Sequence, residues 1–343
     1  MTILQVIESL NAGGAERHVI DLRRAIADRG IDCLVVAQAG ALMCEDEDGL
    51  INVRPKFRIL GWYLPLWRSV SRDRTTVIHV HSLAPLLAAW LVARLRRRRL
   101  VFTVHGWSPS RIRVGRILLS VFRPDLVIAV SVELAQRMQT RRLITRYVPN
   151  GVLDRRGPIQ VVRPDGGDLL LISVGRLSYP KNQASLIRAY AAASVDAPPS
   201  RLVILGEGED RENLMSLAER LTVGSRVEFL GFRDPIPYLE KADVFVSSSL
   251  SEGLSLAHLE AMMIGLPLIV TSTSGANEIV EEGRNGTVVP TDDEPALTAA
   301  IRLFLEDSRR WDGRRSRALY EQKFKHETMV DSLLDLYGGT GEE

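Results

Sequence analysis

Between residues 247 and 290 the chain reads SSSLSEGLSLAHLEAMMIGLPLIVTSTSGANEIVEEGRNGTVVP, and Glu252, Glu260 and Glu278 are three of the five carboxylates in this one stretch. A loop entering a helix at Ser255 turns the unpaired N–H groups of the first helical turn outward, at the positive end of the helix dipole. That arrangement suits a phosphate or diphosphate. Glu252 precedes the junction, and Glu260 follows it, about two turns along at ~3.6 residues per turn. Carboxylates do not bind phosphate; they accept hydrogen bonds from hydroxyls. The pattern therefore fits a ligand whose hydroxyls flank a diphosphate, and a nucleotide-sugar has that layout.

Complementary cations occur in Gly175-Arg176-Leu177-Ser178-Tyr179-Pro180-Lys181, directly after an expected strand at 169–174. Arginine offers a planar fork and lysine a point charge, so the pair could neutralise a diphosphate. His105 stands just past the expected strand 100–104 and before Gly106, where open parallel sheets bind ligands. His81 is placed similarly after strand 76–80, whereas His79 is expected inside that strand. Gly13-Gly14, between strand 3–7 and a helix reaching about residue 28, is not a GxGxxG fingerprint. It reads either as a tight turn with close helix packing or as a loop approaching a ligand's phosphates. Asp46-Glu47-Asp48 is formally a DxD pattern but has no flanking apolar strand, so it is read as solvated, and no metal is expected.

These groups need a frame, and the alternation of short apolar strands with amphipathic helices supplies one. Strands expected at 3–7, 31–37, 76–80, 100–104, 126–130 and 144–148, with helices between them, give an α/β first half. Residues 169–174, 201–205, 226–230, 244–247 and 268–271 repeat the pattern in the second. A Pro/Gly- and charge-rich linker is read at 154–168, with terminal helices at 296–304 and 309–337. The domains are accordingly 1–160, 161–320, and a C-terminal segment 321–343 packing back toward the first. The chain of 343 residues suffices for two such domains.

The overall charge of +2 conceals an asymmetry: residues 1–160 carry 25 Lys/Arg against 13 Asp/Glu, residues 161–343 carry 19 against 29. No acidic residue lies between Asp73 and Asp125, where ten arginines do. Arg111, Arg113, Arg116 and Arg123 alternate with apolar residues, and Gly61-Trp62-Tyr63-Leu64-Pro65-Leu66-Trp67-Arg68 is aromatic and basic. Residues 61–123 are read as a surface for an anionic membrane. A nucleic-acid partner is not expected, because no compact binding motif is present and the other half is acidic. No apolar run approaches the ~20 residues of a membrane span. The first ten residues lack a basic leader, and Cys33 and Cys44 form neither a disulfide framework nor zinc spacing. A cytoplasmic location, peripheral on the inner membrane face, follows as the expectation.

The chain resembles the retaining GT-B glycosyltransferases of family 4, the glycosyl transferases group 1. The resemblance rests on GGAE at 13–16, VGRL with Lys181 at 174–181, Leu205-Gly-Glu-Gly, EGLSLAHLEAM at 252–262, and Gly283-Arg284-Asn285-Gly286. It implies two Rossmann-like domains with parallel sheets facing a cleft, the donor held chiefly by the second. Arg176 and Lys181 would hold the diphosphate, Glu252 the transferred sugar, Glu260 the ribose. Gly253, Leu254 and Ser255 would offer backbone donors near the phosphates. Gly13 and Gly14 would approach the diphosphate, and His105 would face sugar and acceptor. Base contacts would come from the backbone around Gly206, Gly231 and Phe232.

The resemblance further implies retention of anomeric configuration without metal or cofactor, from a UDP- or GDP-sugar to a glycan or lipid-linked acceptor. Segments 40–75 and 106–125 match no family pattern, so acceptor identity stays open. A nucleotide-sugar epimerase or a phosphorylase of the same fold, and a non-catalytic nucleotide-sugar-binding protein, are the alternatives.

Overall fold

A computed structural model describes residues 1–11, 13–40, 49–53, 60–70, 76–156 and 167–338. The Asp46–Asp48 pattern and most of the expected linker lie outside them. Two compact units result: Met1–Asn150 with Glu327–Glu343, and Gly151–His326.

The first unit is built on seven strands: β1 (Thr2–Ser9), β2 (Asp32–Gln38), β3 (Leu50–Asn52), β4 (Thr76–Val80), β5 (Arg99–Val104), β6 (Leu126–Ala129) and β7 (Thr145–Tyr147). Their order is β3-β2-β1-β4-β5-β6-β7, every pairing parallel. Strands covered on both faces need continuous apolar runs rather than alternation, and all five residues of β4 and the first six of β1 are buried. The exceptions within these runs are polar and adjacent. Gln5 on β1 is in register with His79 on β4. His79 accepts or donates through both ring nitrogens, to Thr103 Oγ1 on β5 (2.6 Å) and to the Tyr337 hydroxyl (2.5 Å).

Tyr337 lies on the helix His326–Gly338, whose Met329, Val330 and Leu333 pack with Ile3, Leu22, Val77, Val101 and Ile128. The single terminal helix expected over 309–337 is two helices, Gly313–Lys323 and His326–Gly338. The break has a cause. Phe324, fully buried, leaves helical geometry so that its carbonyl accepts from Val152 N–H (3.1 Å), while His326 N–H donates to the Val152 carbonyl (3.1 Å). A side chain at Gly151 would place Cβ 2.6 Å from the Lys325 carbonyl oxygen, so glycine permits the pairing.

The second unit has six parallel strands: β8 (Leu169–Val174), β9 (Ser200–Leu205), β10 (Val227–Gly231), β11 (Val244–Ser247), β12 (Leu268–Thr271) and β13 (Gly286–Val289). The order is β10-β9-β8-β11-β12-β13, the doubly wound arrangement whose strand order reverses between β8 and β11. Its core joins Leu171, Leu202 and Val246 of the sheet to Leu186, Tyr190, Ile301 and Phe304 of the covering helices.

Candidate functional site

At the β8/β11 reversal two loops leave adjacent strands in the same direction and must diverge, one toward each side of the sheet. They are tied together here. Ser248 Oγ is within hydrogen-bonding reach of the Lys181 (3.0 Å) and Asn182 (2.9 Å) carbonyls, Leu250 N–H donates to the Pro180 carbonyl (2.8 Å), and Thr271 Oγ1 donates to the Ser249 carbonyl (2.6 Å). The knot brings Lys181 Nζ onto Glu252 Oε1, and Ser249 Oγ donates to the same oxygen (3.0 Å). Asn182, at φ +50°, makes the left-handed turn from the short 3₁₀ segment Tyr179–Lys181 into the helix Gln183–Ala193. Gln183 Nε2 donates to the Arg176 carbonyl (2.8 Å), bracing the loop that carries the exposed Arg176.

The electrostatics follow from this packing. Burial alone would raise the Glu252 carboxyl, but the Lys181 charge, His258 and the hydrogen bonds from Lys181 and Ser249 outweigh it and hold it below its ordinary range. His258 is pushed down to about 4, first by burial and further by Lys181, against the pull of Glu252. His258 is therefore neutral at neutral pH, within electrostatic reach of an ionised Glu252. The pair remains open to a ligand, since the Lys181 and Glu252 side chains are 24% and 14% exposed.

The helix Leu256–Ile264 begins at Ser255, whose side chain makes no capping hydrogen bond. Gly253 and Leu254 are buried at its entrance, and Glu260 is buried within it. Gly206 and Gly231 meet, Gly206 N–H donating to the Gly231 carbonyl (2.9 Å). A Cβ on Gly206 would come 1.9 Å from the Gly175 carbonyl oxygen, so the 206–208 turn sits directly on the loop carrying Arg176. Phe232, next in the chain, is 62% exposed. Asn285 of the Gly-Arg-Asn-Gly run is fully buried and structural: its amide nitrogen donates to the Ile279 carbonyl and Ser316 Oγ, and its oxygen accepts from Glu281 N–H.

The first unit carries a second constellation at the carboxyl ends of its strands. Gly13 caps the helix Gly14–Asp28 without a side-chain bond, and His18 lies one turn in. His81 follows β4 and His105 follows β5. His81 Nδ1 and His105 Nε2 are 2.8 Å apart, and His81 Nε2 is 2.6 Å from Gln5 Oε1. A carboxamide oxygen only accepts, so His81 Nε2 carries the proton, its Nδ1 is bare, and His105 Nε2–H donates to it. The rings stay neutral near pH 7. Burial pulls His79 down to about 3 and His105 to about 4; burial and the neighbouring histidines hold His81 well below the ordinary range.

Sequence reasoning passed over His18, Gln5, Ser249 and His258. A polar residue in an otherwise apolar buried strand was the available signal for Gln5, and the position on a short helix between Glu252, in the loop before it, and Glu260, within it, was the signal for His258. The aromatic–basic stretch at 61–68 is partly core: Trp62 and Leu66 are buried, and Trp67 is covered by the Arg96 guanidinium at 3.7 Å. On the helix Pro109–Phe122, by contrast, Arg111, Arg113, Val114, Arg116, Ile117 and Val121 are exposed. Among the described residues no helix is long and apolar enough to cross a membrane.

Two doubly wound parallel units, one with a cation–carboxylate pair at its switch point, are the architecture of the GT-B class. Residues 12–156 match the Glycosyltransferase Family 4 model and residues 156–325 the Glycosyl transferases group 1 model, so the chain belongs to the group 1 glycosyltransferases. Among relatives, the lipopolysaccharide core biosynthesis glycosyltransferase LpsE of Rhizobium meliloti (strain 1021) is 27% identical, over 94% of this chain and 95% of its own. The crystal structure of Anabaena Alr3699/HepE in complex with UDP-glucose is 26% identical, with a TM-score of 0.83 over 98% of this chain and 99% of that one. The apo lipopolysaccharide outer core galactosyltransferase WaaB shares the fold, at 16% identity and a TM-score of 0.76 over 98% of this chain and 99% of that one.

Proposed function

We propose that this glycosyltransferase moves a hexose-type sugar, with retention of configuration and without a metal, from a UDP- or GDP-sugar to a glycan or lipid-linked glycan of the cell envelope. The observation that carries the reading is the Lys181–Glu252–Ser249 cluster, knotted to the loop of Arg176 at the β8/β11 reversal. The UDP-glucose complex of a relative matching the whole chain favours the UDP branch, and the lipopolysaccharide relative favours an envelope acceptor.

In this reading Arg176, Lys181 and the first-turn N–H groups after Ser255 take up the negative charge that develops on the diphosphate as the bond from sugar C1 breaks. The acceptor oxygen bonds to C1 on the face the diphosphate leaves, and its proton passes to the departing phosphate oxygen. Glu252 accepts from sugar hydroxyls and Glu260 from the ribose. Gly206, Gly231 and Phe232 border the base, Gly13 and Gly14 approach the diphosphate, and His105 meets sugar and acceptor. The exposed basic and apolar residues of helix Pro109–Phe122 hold the protein on an anionic inner membrane face, where a lipid-linked acceptor is concentrated.

The test is transfer from radiolabelled UDP- and GDP-sugars to lipid-linked acceptors, with Arg176→Ala, Lys181→Ala and Glu252→Ala as comparators. Each is expected to lose ~10²–10³ in kcat, the scale for removing one preorganised stabiliser. Full activity in all three refutes the site. Epimerised sugar formed from donor alone refutes transfer as the reaction.

A further inference from the structure

We propose that His18, His81 and His105 form a binding site for one borderline transition-metal cation, Zn²⁺ above all, and that occupancy of this site blocks sugar transfer. The three rings come from three separate elements, a helix and the ends of two strands, and converge at the carboxyl end of the first sheet. One ligand nitrogen from each lies within 4.8 Å of the others. Ring centroids of His18 stand 4.9 Å from His105 and 5.7 Å from His81, with His81 and His105 5.1 Å apart.

A tetrahedral zinc with bonds of ~2.0–2.1 Å holds its ligand nitrogens roughly 3.3 Å apart. The His81–His105 pair has to open by about half an ångström from its 2.8 Å contact, and His18 has to close on them. Side-chain rotations of that size are small for the partly exposed His105.

The surroundings already select the required tautomer. A metal-ligating histidine commonly donates its second ring N–H to an acceptor that fixes its orientation. Gln5 Oε1 does this for His81, leaving Nδ1 bare and aimed at His105. His105 has only to shift its proton from Nε2 to Nδ1, so capture of the cation by these two rings needs no net proton loss. All three ligands are imidazoles, with no carboxylate in the set. Such a site prefers Zn²⁺, Ni²⁺ or Cu²⁺ to the hard cations Mg²⁺ and Ca²⁺, which take oxygen ligands. Three histidines with an open fourth position also leave room for a phosphate oxygen or hydroxide. The inhibitory part rests on the proposed function, which gives His105 the sugar and acceptor; a cation on Nε2 would fix the ring and fill the space beside it.

The experiment uses the full chain after chelator treatment. Zn²⁺ is titrated against a chromophoric chelator, Co²⁺ binding is followed by its visible d–d absorption, and transfer is assayed with and without Zn²⁺. The expected result is one equivalent per chain with micromolar or tighter affinity, a tetrahedral cobalt band, no competition by Mg²⁺, and inhibition reversed by EDTA. His18→Asn should weaken binding by at least 100-fold and remove the inhibition. Gln5→Leu should weaken it by ~10–100-fold, and Cys33→Ser/Cys44→Ser should leave it unchanged. Zn²⁺ should raise the thermal midpoint of the wild type and not that of His18→Asn, a readout that also verifies the variant's fold.

Stoichiometric binding untouched by His18→Asn, or no cobalt band, overturns the site. Full transfer activity at saturating Zn²⁺ overturns the inhibition. Absence of transfer from every donor, with zinc bound as described, refutes the transferase reading and leaves the metal site standing.

Discussion

Replacing Lys181 by Met tests the central cluster most directly. Lys181 and Glu252 are both largely buried, at 24% and 14% side-chain exposure, and Ser249 gives Glu252 its other hydrogen bond. Removing one partner of a fully buried pair costs ~3–5 kcal/mol because the other charge is stranded. The residual exposure here lowers the expectation to about 1–3 kcal/mol. At ~2–4 °C per kcal/mol for a unit of this size, the thermal midpoint should drop by roughly 2–12 °C.

The cost should depend on pH in a defined sense. In the wild type the Glu252 carboxyl is held below its ordinary range, so its stabilisation is present above the unfolded-state value and is lost as pH falls through the folded one. Without Lys181, burial dominates and Glu252 takes a proton more readily. The deficit of the Lys181→Met variant should therefore shrink as pH falls through the carboxylate range. Adding Glu252→Gln removes the stranded charge, so the double variant should be more stable than Lys181→Met alone. Urea unfolding of the four proteins at pH 7 and pH 4.5 measures the cycle. Additivity within ~0.5 kcal/mol at pH 7 would refute the coupling.

Other outcomes follow from the same geometry. Gly206→Ala, forced against the Gly175 carbonyl at a glycine φ of +142°, should lower stability by more than ~2 kcal/mol and weaken donor binding; wild-type stability would show that the loop yields. Histidines buried neutral make stability fall as pH drops from about 6.5 toward their folded values, by up to ~1.4 kcal/mol per pH unit each. With His79 at about 3 and His258 at about 4, His79→Gln or His258→Gln should flatten the unfolding-versus-pH curve between pH 6.5 and 5. At 100 times its Kd a UDP-sugar should stabilise the protein by ~2.7 kcal/mol, and GDP-sugars should match it only if the base is not discriminated. Anionic vesicles should sediment the protein better than neutral ones, and Arg113→Gln/Arg116→Gln should cut binding by roughly 30-fold at ~1 kcal/mol per arginine. Equal sedimentation with both vesicle types would exclude the electrostatic contact.

The sequence by itself determined the alternation of strands and helices, because strands covered on both faces are built on apolar runs, as in β6 and the first three residues of β12. It also determined which loops carry Arg176, Lys181, Glu252 and His105, since each directly follows a strand or lies within ten residues of its end. A serine directly before a helix is a local capping signal, and the Ser131 side chain accepts from Leu134 N–H at 3.3 Å at the start of the helix Val132–Met138. Only the tertiary structure decided the partners. That Lys181 meets Glu252, 71 residues away, depends on β8 and β11 being neighbours. That Gln5 sets the proton of His81, 76 residues away, depends on β1 lying beside β4. Strand order across a parallel sheet is a property of the packed whole, since every parallel pairing is reached through a crossover. The same limit explains the terminal helix: its periodicity runs on past Lys323, and only the pairing of the following segment with Val152 breaks it.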